Sequence, residues 1–520
     1  MDSTLSTTTT GEPPGVAAVR EACVRRLAGR VEADGAIREP CEGRILETAL
    51  LLSLLRKQHT LPAVQTKLER YLSTATAATA LDATIAGAML LPGRRPRAAD
   101  GVAPGGKLPN LASLHPFTGH RKRLLLATVL AILGVGPYDP ATRPHQIAYG
   151  GYAAWTDLSL CAVRMLHTAA QDGSPDDTDT AWLTERLSAF PHGQIWEGNA
   201  LAHLVALHAL HTRAPQHPVL HAGIVALTEA VREDGGMPFI AGQEVWVTAL
   251  AGAALAEAGA DPALLHRIGD YLAARQQDDG GWGYNETTTQ TDVDDTSRCA
   301  VTLHLTGGHL RYGTHLKQAR KYLTAMAGTD GGFPTYLKGH ASEADLTAGA
   351  LIALAQNHPS QRNDDHSDLV RSSAEFLMSA QIGNGSWEPS WTLSVTSVTA
   401  HAVDALSVAA RTVPAIAART RSTGDAARSY LDATQNTDGG WGHRPGEDSD
   451  VISTAHALPV LRPGHQAETA LHYLLSHQSA DAAYHARPDQ VGPRPFPYDF
   501  PLLADVHVCT ALARSRRLPR

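Results

Sequence analysis

Apolar residues, chiefly Ala and Leu, recur at helical spacing in a long series of segments along the chain. They fall at 44–55, 121–133, 155–168, 200–211, 246–258, 346–356, 398–411, 452–461, 468–475 and 505–514. No segment sustains a period-two alternation of β-branched and aromatic residues between turn residues, so a large sheet is not expected and the predicted class is all-α. The polar tracts 172–180 and 358–368 read as linkers. The longest nearly uninterrupted apolar runs, such as 124–135, fall short of the roughly 20 residues that a membrane span requires.

The turns between these segments repeat. Residues 276–282 (QQDDGGW), 381–387 (QIGNGSW) and 435–441 (QNTDGGW) share one pattern, QxxxGxW, and weaker copies stand at 31–37, 231–237, 327–333 and 478–484. From Gly235 onward the glycine-equivalent positions advance in steps of 45, 51, 54, 54 and 43, the length of one helical hairpin with its loops. Glycine supplies positive φ where a helix ends, while Gln and Trp can tie the turn to a neighbouring helix through amide and indole hydrogen bonds. The N-terminal half carries poorer copies, and the Pro- and His-containing stretch 212–220 separates it from the regular repeats. The expected organisation is therefore a polar tail at 1–14, an N-terminal α-barrel at 15–213 and a second α/α barrel at 214–520.

Composition narrows the functions open to such a chain. Across 520 residues, 43% are hydrophobic and 18% charged, which supports a sizeable core and not disorder. The net charge of −8 offers no basic field to a phosphate backbone, so nucleic acid is excluded as a partner. The first fourteen residues have neither a basic start nor an apolar run; a cytoplasmic location is expected. Five scattered cysteines without a CxxC or zinc pattern are expected as free thiols.

The candidate chemistry follows the best-formed turn. Residues 291–298 (TDVDDTSR) place Asp292, Asp294 and Asp295 at the start of an apolar helix. Asp and Thr are favoured helix caps, and acidic residues suit the positive end of the helix dipole, so capping alone explains one of the three. Three carboxylates this close repel one another, and in a shielded site one would hold a proton near neutral pH. A cap, an acid and a metal site all remain open on these residues alone.

DVDDT directly after a QxxxGxW turn, in a chain of helical hairpins, resembles the class II terpene cyclases, which include squalene-hopene cyclases and bacterial diterpene cyclases. The likeness spans roughly residues 231–506, and 331–343 (GGFPTYLKGHASE) is also similar to bacterial diterpene cyclases. The resemblance implies two α/α barrels, termed β and γ, with the acid in the cavity between them. It assigns Asp294 as proton donor and Asp292 and Asp295 as the carboxylates that orient it. It further implies protonation of the terminal alkene of a linear prenyl diphosphate, geranylgeranyl diphosphate first and farnesyl diphosphate next. Ring closure would then leave the diphosphate in place for a separate enzyme, such as a class I terpene synthase. Arg298 and Lys338 are the cations expected to bind that diphosphate, and Glu197 in WEGN the residue expected to hold an assisting magnesium ion.

Some features depart from the family. Only 28 of 520 residues are aromatic, and at least three tryptophans belong to turns, so a short isoprenoid suits the chain better than squalene. A single Trp391 stands where the family often shows an aromatic pair. Asp364 to Asp368 (DDHSD) spells the magnesium motif of class I synthases, yet it lies in a polar linker where Asp368 can cap the following helix. Competing readings are a squalene or meroterpenoid polyene cyclase, a zinc prenyltransferase, a glycosidase with two separated carboxylates, and a non-catalytic isoprenoid-binding barrel.

Overall fold

The computed structural model describes residues 15–90, 96–98, 119–171, 173–174, 176–191, 193–356, 364–492 and 496–515. The expected tail at 1–14 lies outside them. Strands among the described residues are two-residue pairs, such as Gly43–Arg44 against Met237–Pro238, so the chain is all-α as its periodicity predicts.

Six inner helices form a closed ring in the C-terminal barrel: Glu244–Ala258, Val293–Thr306, Ala344–Ala355, Val395–Thr412, Val451–Ala457 and Leu502–Ser515, each packing on the next and the last on the first. Outer helices cover them: Pro262–Ala273, Gly308–Met326, Asp364–Ala380, Ala417–Thr434 and His465–Ser476. The twelfth place, over Glu244–Ala258 and Leu502–Ser515, is taken by Val16–Ala28. Chain order had put this helix in the N-terminal barrel. It packs across instead because Cys23 and Leu27, at helical spacing, bury their side chains against the gap that would otherwise leave the first and last inner helices uncovered. Conversely, Pro218–Glu229, beyond the expected boundary, packs on Asp177–Ser188 and Ala200–Arg213.

The N-terminal barrel is built around Ile45–Lys57, Gly119–Ile132, Ala154–Ala170 and Ala200–Arg213, whose mutual packing closes a second ring. Ala200–Arg213 is buried from Ala200 through Leu210, as an inner helix must be.

The repeat turns do the structural work their residue types imply. In all three, the Gln side-chain amide donates to the carbonyl of the turn glycine and to a carbonyl of the next outer helix. For Gln381 these are Gly385 and Thr423, both at 3.0 Å. Each indole N–H donates back to the preceding outer helix: Trp282 to Leu272 at 2.7 Å, Trp387 to Leu377 and Trp441 to Leu431 at 2.8 Å. All three rings are fully buried.

One sequence reading needs correction. The segment 364–368 is not a linker with Asp368 as cap; the helix begins at Asp364, and Asp368, its fifth residue, is exposed and paired to Arg371 at 2.8 Å. The side chains of Asp364 and Asp365 lie outside the described residues. All five cysteines are buried and unpaired, as expected. No helix among the described residues is long and apolar enough to cross a membrane.

Gly385 has φ 96°, and a Cβ there would lie 2.5 Å from the Ala426 carbonyl oxygen. Gly385→Ala is therefore expected to lower unfolding free energy by about 2–4 kcal/mol, read by urea titration. A loss below about 0.5 kcal/mol would contradict this account of the turn.

Candidate active site

The turn 276–282 delivers the chain to the helix Val293–Thr306 in a fixed frame. Trp282 and Asp292 form an antiparallel bridge. Asp292 then caps the helix, its Oδ1 accepting from the Asp295 N–H at 2.8 Å. The Thr296 hydroxyl accepts from the Trp282 N–H at 3.1 Å and donates to the Asp292 carbonyl at 2.6 Å. The same frame recurs where Trp441 bridges Asp450 and Thr454 accepts from the Trp441 N–H at 3.0 Å. There the cap is followed by Val451, Ile452 and Ser453. Capping thus accounts for Asp292, as for Asp450; Asp294 and Asp295 are surplus to it.

Exposure separates the two. The Asp294 side chain is 29% exposed and opens into a cavity, whereas Asp292 and Asp295 are each only 3% exposed. The sequence makes Asp292 and Asp295 the groups that orient Asp294, but its described hydrogen bonds come from elsewhere. Its Oδ2 accepts from the Trp246 indole N–H at 2.8 Å, and its Oδ1 from the Arg298 Nε–H at 3.1 Å. Trp246 lies on the adjacent inner helix, and no local motif marks it.

The cluster resists full ionisation. Burial first, then the Asp292 and Asp294 charges, push Asp295 well above the ordinary carboxylate range, and its Oδ1 has no hydrogen-bond partner among the described residues. Burial and the Asp294 charge also push Asp292 up. With one guanidinium facing three carboxyls in low dielectric, the cluster retains a proton near neutral pH.

Asp294 opens on a cavity of about 100 Å³ that adjoins a larger one of about 370 Å³. They share Leu125, Trp155, Tyr336 and Trp391, and lie between the helices Gly119–Ile132 and Ala154–Ala170 of the N-terminal barrel and the loops of the C-terminal barrel. Phe239, Trp246, Tyr284 and Tyr498 add aromatic faces beside the acid. Tyr336 stands edge-on to Trp391 at 5.9 Å, supplying the second ring that the sequence lacks after Trp391. The Trp391 indole donates to Thr335 at 2.9 Å, and Thr335 to the buried Glu343 at 2.5 Å.

The expected binding residues are placed differently. Arg298 is bonded to Asp294 and lines neither cavity. Lys338 is exposed and lines neither cavity. The cations that do line them are Arg121, on the larger, and Lys122, on both. The Arg121 guanidinium lies 4.0 Å over the Tyr152 ring. A sequence signal for them existed: Arg121, Lys122 and Arg123 stand in the first turn of Gly119–Ile132, where the helix dipole disfavours cations.

Glu197 is buried in the turn Trp196–Gly198 with φ 50°, an unusual value for this residue type. One carboxylate oxygen accepts from the Thr289 N–H at 2.8 Å and the other from the Thr289 hydroxyl. Both oxygens thus bind a protein loop, and among the described residues no three His, Cys, Asp or Glu side chains gather as a ligand set. A zinc ligand set of the prenyltransferase kind is thus not present among the described residues.

Because Asp295 binds its proton more tightly folded than unfolded, its contribution to stability is full at low pH and is lost as pH rises through its raised pKa. Asp295→Asn should leave stability near wild type at pH 4 and raise it at pH 8 by on the order of 1 kcal/mol or more, read as a higher Tm. A lower Tm than wild type at pH 8 would contradict this electrostatic reading.

No family model matches the chain. It is 38% identical to the drimenyl diphosphate synthase of Streptantibioticus cattleyicolor over 530 residues, covering 97% of this chain and 96% of that protein. It is 37% identical to the drimenyl diphosphate synthase of Streptomyces showdoensis over 544 residues, covering 99% and 98%. Its fold is that of ent-copalyl diphosphate synthase from Streptomyces platensis, with a TM-score of 0.59 at 19% identity over 96% of this chain and 99% of that one. With near-complete coverage by these relatives and an acidic cluster facing an aromatic cavity, the chain belongs to the class II terpene cyclases, enzymes that cyclise a prenyl diphosphate by protonating it.

Proposed function

We propose that this enzyme converts farnesyl diphosphate to a bicyclic drimane-type diphosphate, with Asp294 as the proton donor. The observation that carries the reading is the layout of one continuous cavity: Asp294 opens on its smaller part, Arg121 on its larger part, and aromatic rings line the space between. Geranylgeranyl diphosphate, favoured on sequence resemblance, gives way to farnesyl diphosphate because both full-length relatives are named for drimenyl diphosphate.

An alkene is a very weak base, so the acid must act where water does not compete for its proton. Asp294 donates from its cavity-facing carboxyl, held by the Trp246 and Arg298 bonds and kept near protonated neighbours by the shared burden of three carboxyls. Protonation of the terminal double bond starts two ring closures, and the migrating positive charge passes the faces of Trp155, Tyr336 and Trp391. Arg121 and Lys122 hold the diphosphate by charge-assisted hydrogen bonds. Nothing ionises the carbon–oxygen bond, and the cyclised diphosphate leaves for a separate hydrolytic or ionising enzyme.

Incubation with farnesyl, geranylgeranyl and squalene substrates, with mass spectrometry before and after phosphatase, tests the reading. Farnesyl diphosphate should be consumed with the highest kcat/KM, and a fifteen-carbon bicycle should be seen only after phosphatase. Diphosphate release in step with cyclisation would overturn it. Asp294→Asn should fold and lose at least about a hundredfold in kcat. Arg121→Glu should raise KM at least about tenfold with a smaller fall in kcat, while Lys338→Glu leaves both close to wild type. Equal effects at Arg121 and Lys338 would contradict the placement of the diphosphate.

A further inference from the structure

The bore of the C-terminal barrel holds another cavity, of about 120 Å³, that shares no lining residue with the isoprenoid cavity. Its walls carry the residues next along the same helices: Arg298, Val301 and Thr302 after Asp294, and Gly349 and Ile352 after Asp345. Asp294 therefore sits between the two. This bore is lined by the half-buried His401, His456 and His507 and by Glu257, Asp404, Arg298 and Arg514. Such groups cost several kcal/mol to desolvate, which a merely structural bore would avoid.

The groups form a sequence from the far end to the acid. Arg514, a third exposed, donates to Glu257 at 2.6 Å and to Asp404 at 2.7 Å. The His456 and His507 rings lie 4.4 Å apart, tilted by 44°. Burial holds both rings neutral, so each keeps one N–H and one lone pair. Next stands His401, whose Nδ1 lies 3.1 Å from Asp345 Oδ1. Burial opposes ionisation of Asp345, but the His401 hydrogen bond and charge and the Arg298 charge outweigh it and hold its carboxyl below the usual range. Asp345 itself reaches the isoprenoid cavity. Finally, a methyl built on Gly349 would lie 3.7 Å from His401 Cε1 and 3.9 Å from Asp294 Oδ1. The imidazole and the acid thus both border the space beside Gly349, as does Ser297.

We propose that this bore is the proton-return path of the enzyme, in which His401, across the space beside Gly349, passes a solvent-derived proton to Asp294 after each cyclisation. The proposal rests on the reading of Asp294 as the donor. In that step the Asp294 O–H bond breaks, a C–H bond forms on the substrate, and the O–H electron pair stays on the carboxylate. The final cation then loses a proton to a base in the isoprenoid cavity as its C=C bond forms. One proton has left the acid and one has left the substrate, so Asp294 must gain a new O–H bond before the next turnover. A dry chamber occupied by product cannot supply it. The bore reaches the acid from the other side: Glu257, Asp404, Arg298 and Arg514 give it a polar wall, and Asp294 and Asp345 stand between it and the isoprenoid cavity.

Rapid-quench kinetics separate the stored proton from its replacement. With farnesyl diphosphate in excess, His401→Ala should complete its first turnover at the wild-type rate and slow at least tenfold in later ones. Added imidazole, a small proton carrier, should restore the later turnovers. Gly349→Ala, whose methyl makes only ordinary contacts, should fold and slow the later turnovers several-fold by filling that space. Asp294→Asn should abolish both phases; activity in it would remove the donor assignment itself. With Asp294→Asn inactive, the return path is overturned if His401→Ala slows the first and later turnovers equally, if it slows neither, or if imidazole restores nothing.

Discussion

A carboxyl group that must keep its proton until an alkene arrives is the constraint on which the rest of this structure depends. In water such a group ionises, and any proton it releases goes to solvent before it reaches carbon. Burial of Asp292 and Asp295 beside Asp294 and one guanidinium keeps a proton within the cluster. The arrangement is costly for stability, because Asp295 is fully buried with an unpartnered oxygen. It persists only because the surrounding helices over-determine the position of the helix that carries it.

That over-determination comes from the repeat turns. Each clamps an outer helix to the next through a Gln amide and locks the chain by an indole hydrogen bond, and then presents an acceptor side chain to cap the following inner helix. The motif is indifferent to chemistry, as the Trp441 and Asp450 copy shows by carrying the uncharged Ile452 and Ser453 where the Trp282 and Asp292 copy has Asp294 and Asp295. Function arises where one copy adds two carboxylates beyond the cap and a neighbouring helix supplies Trp246. The twelfth helix, Val16–Ala28, closes the ring that keeps this frame rigid, linking the first described residues to the last helix of the barrel.

The sequence was legible where local physics decides. Inner helices bury every face, so 200–211 and 246–258 stood out as apolar runs close to their observed bounds. Outer helices such as Gly308–Met326 bury one side, and their polar faces hide them from the same reading. The acidic cluster was visible because three neighbouring carboxylates exceed what a cap needs. Its orienting partner Trp246 was not, since a residue 48 positions away acts only through packing of adjacent helices. Arg298 attracted attention by its nearness in sequence to the acid cluster and Lys338 by its place in the 331–343 loop, whereas the cations that line the cavities, Arg121 and Lys122, come from the other barrel. Val16–Ala28 escaped for the same reason: chain order does not reveal which barrel a terminal helix completes.

Protonation of carbon with the carbon–oxygen bond left intact is the central claim, and solvent isotope labelling tests it most directly. The purified enzyme would be equilibrated in deuterium oxide and given farnesyl diphosphate, and the intact product analysed by mass spectrometry and NMR. The account predicts a cyclised diphosphate carrying a single deuterium, placed on the ring that forms from the chain's alkene terminus. An undeuterated hydrocarbon or alcohol, formed as free diphosphate accumulates, would contradict it.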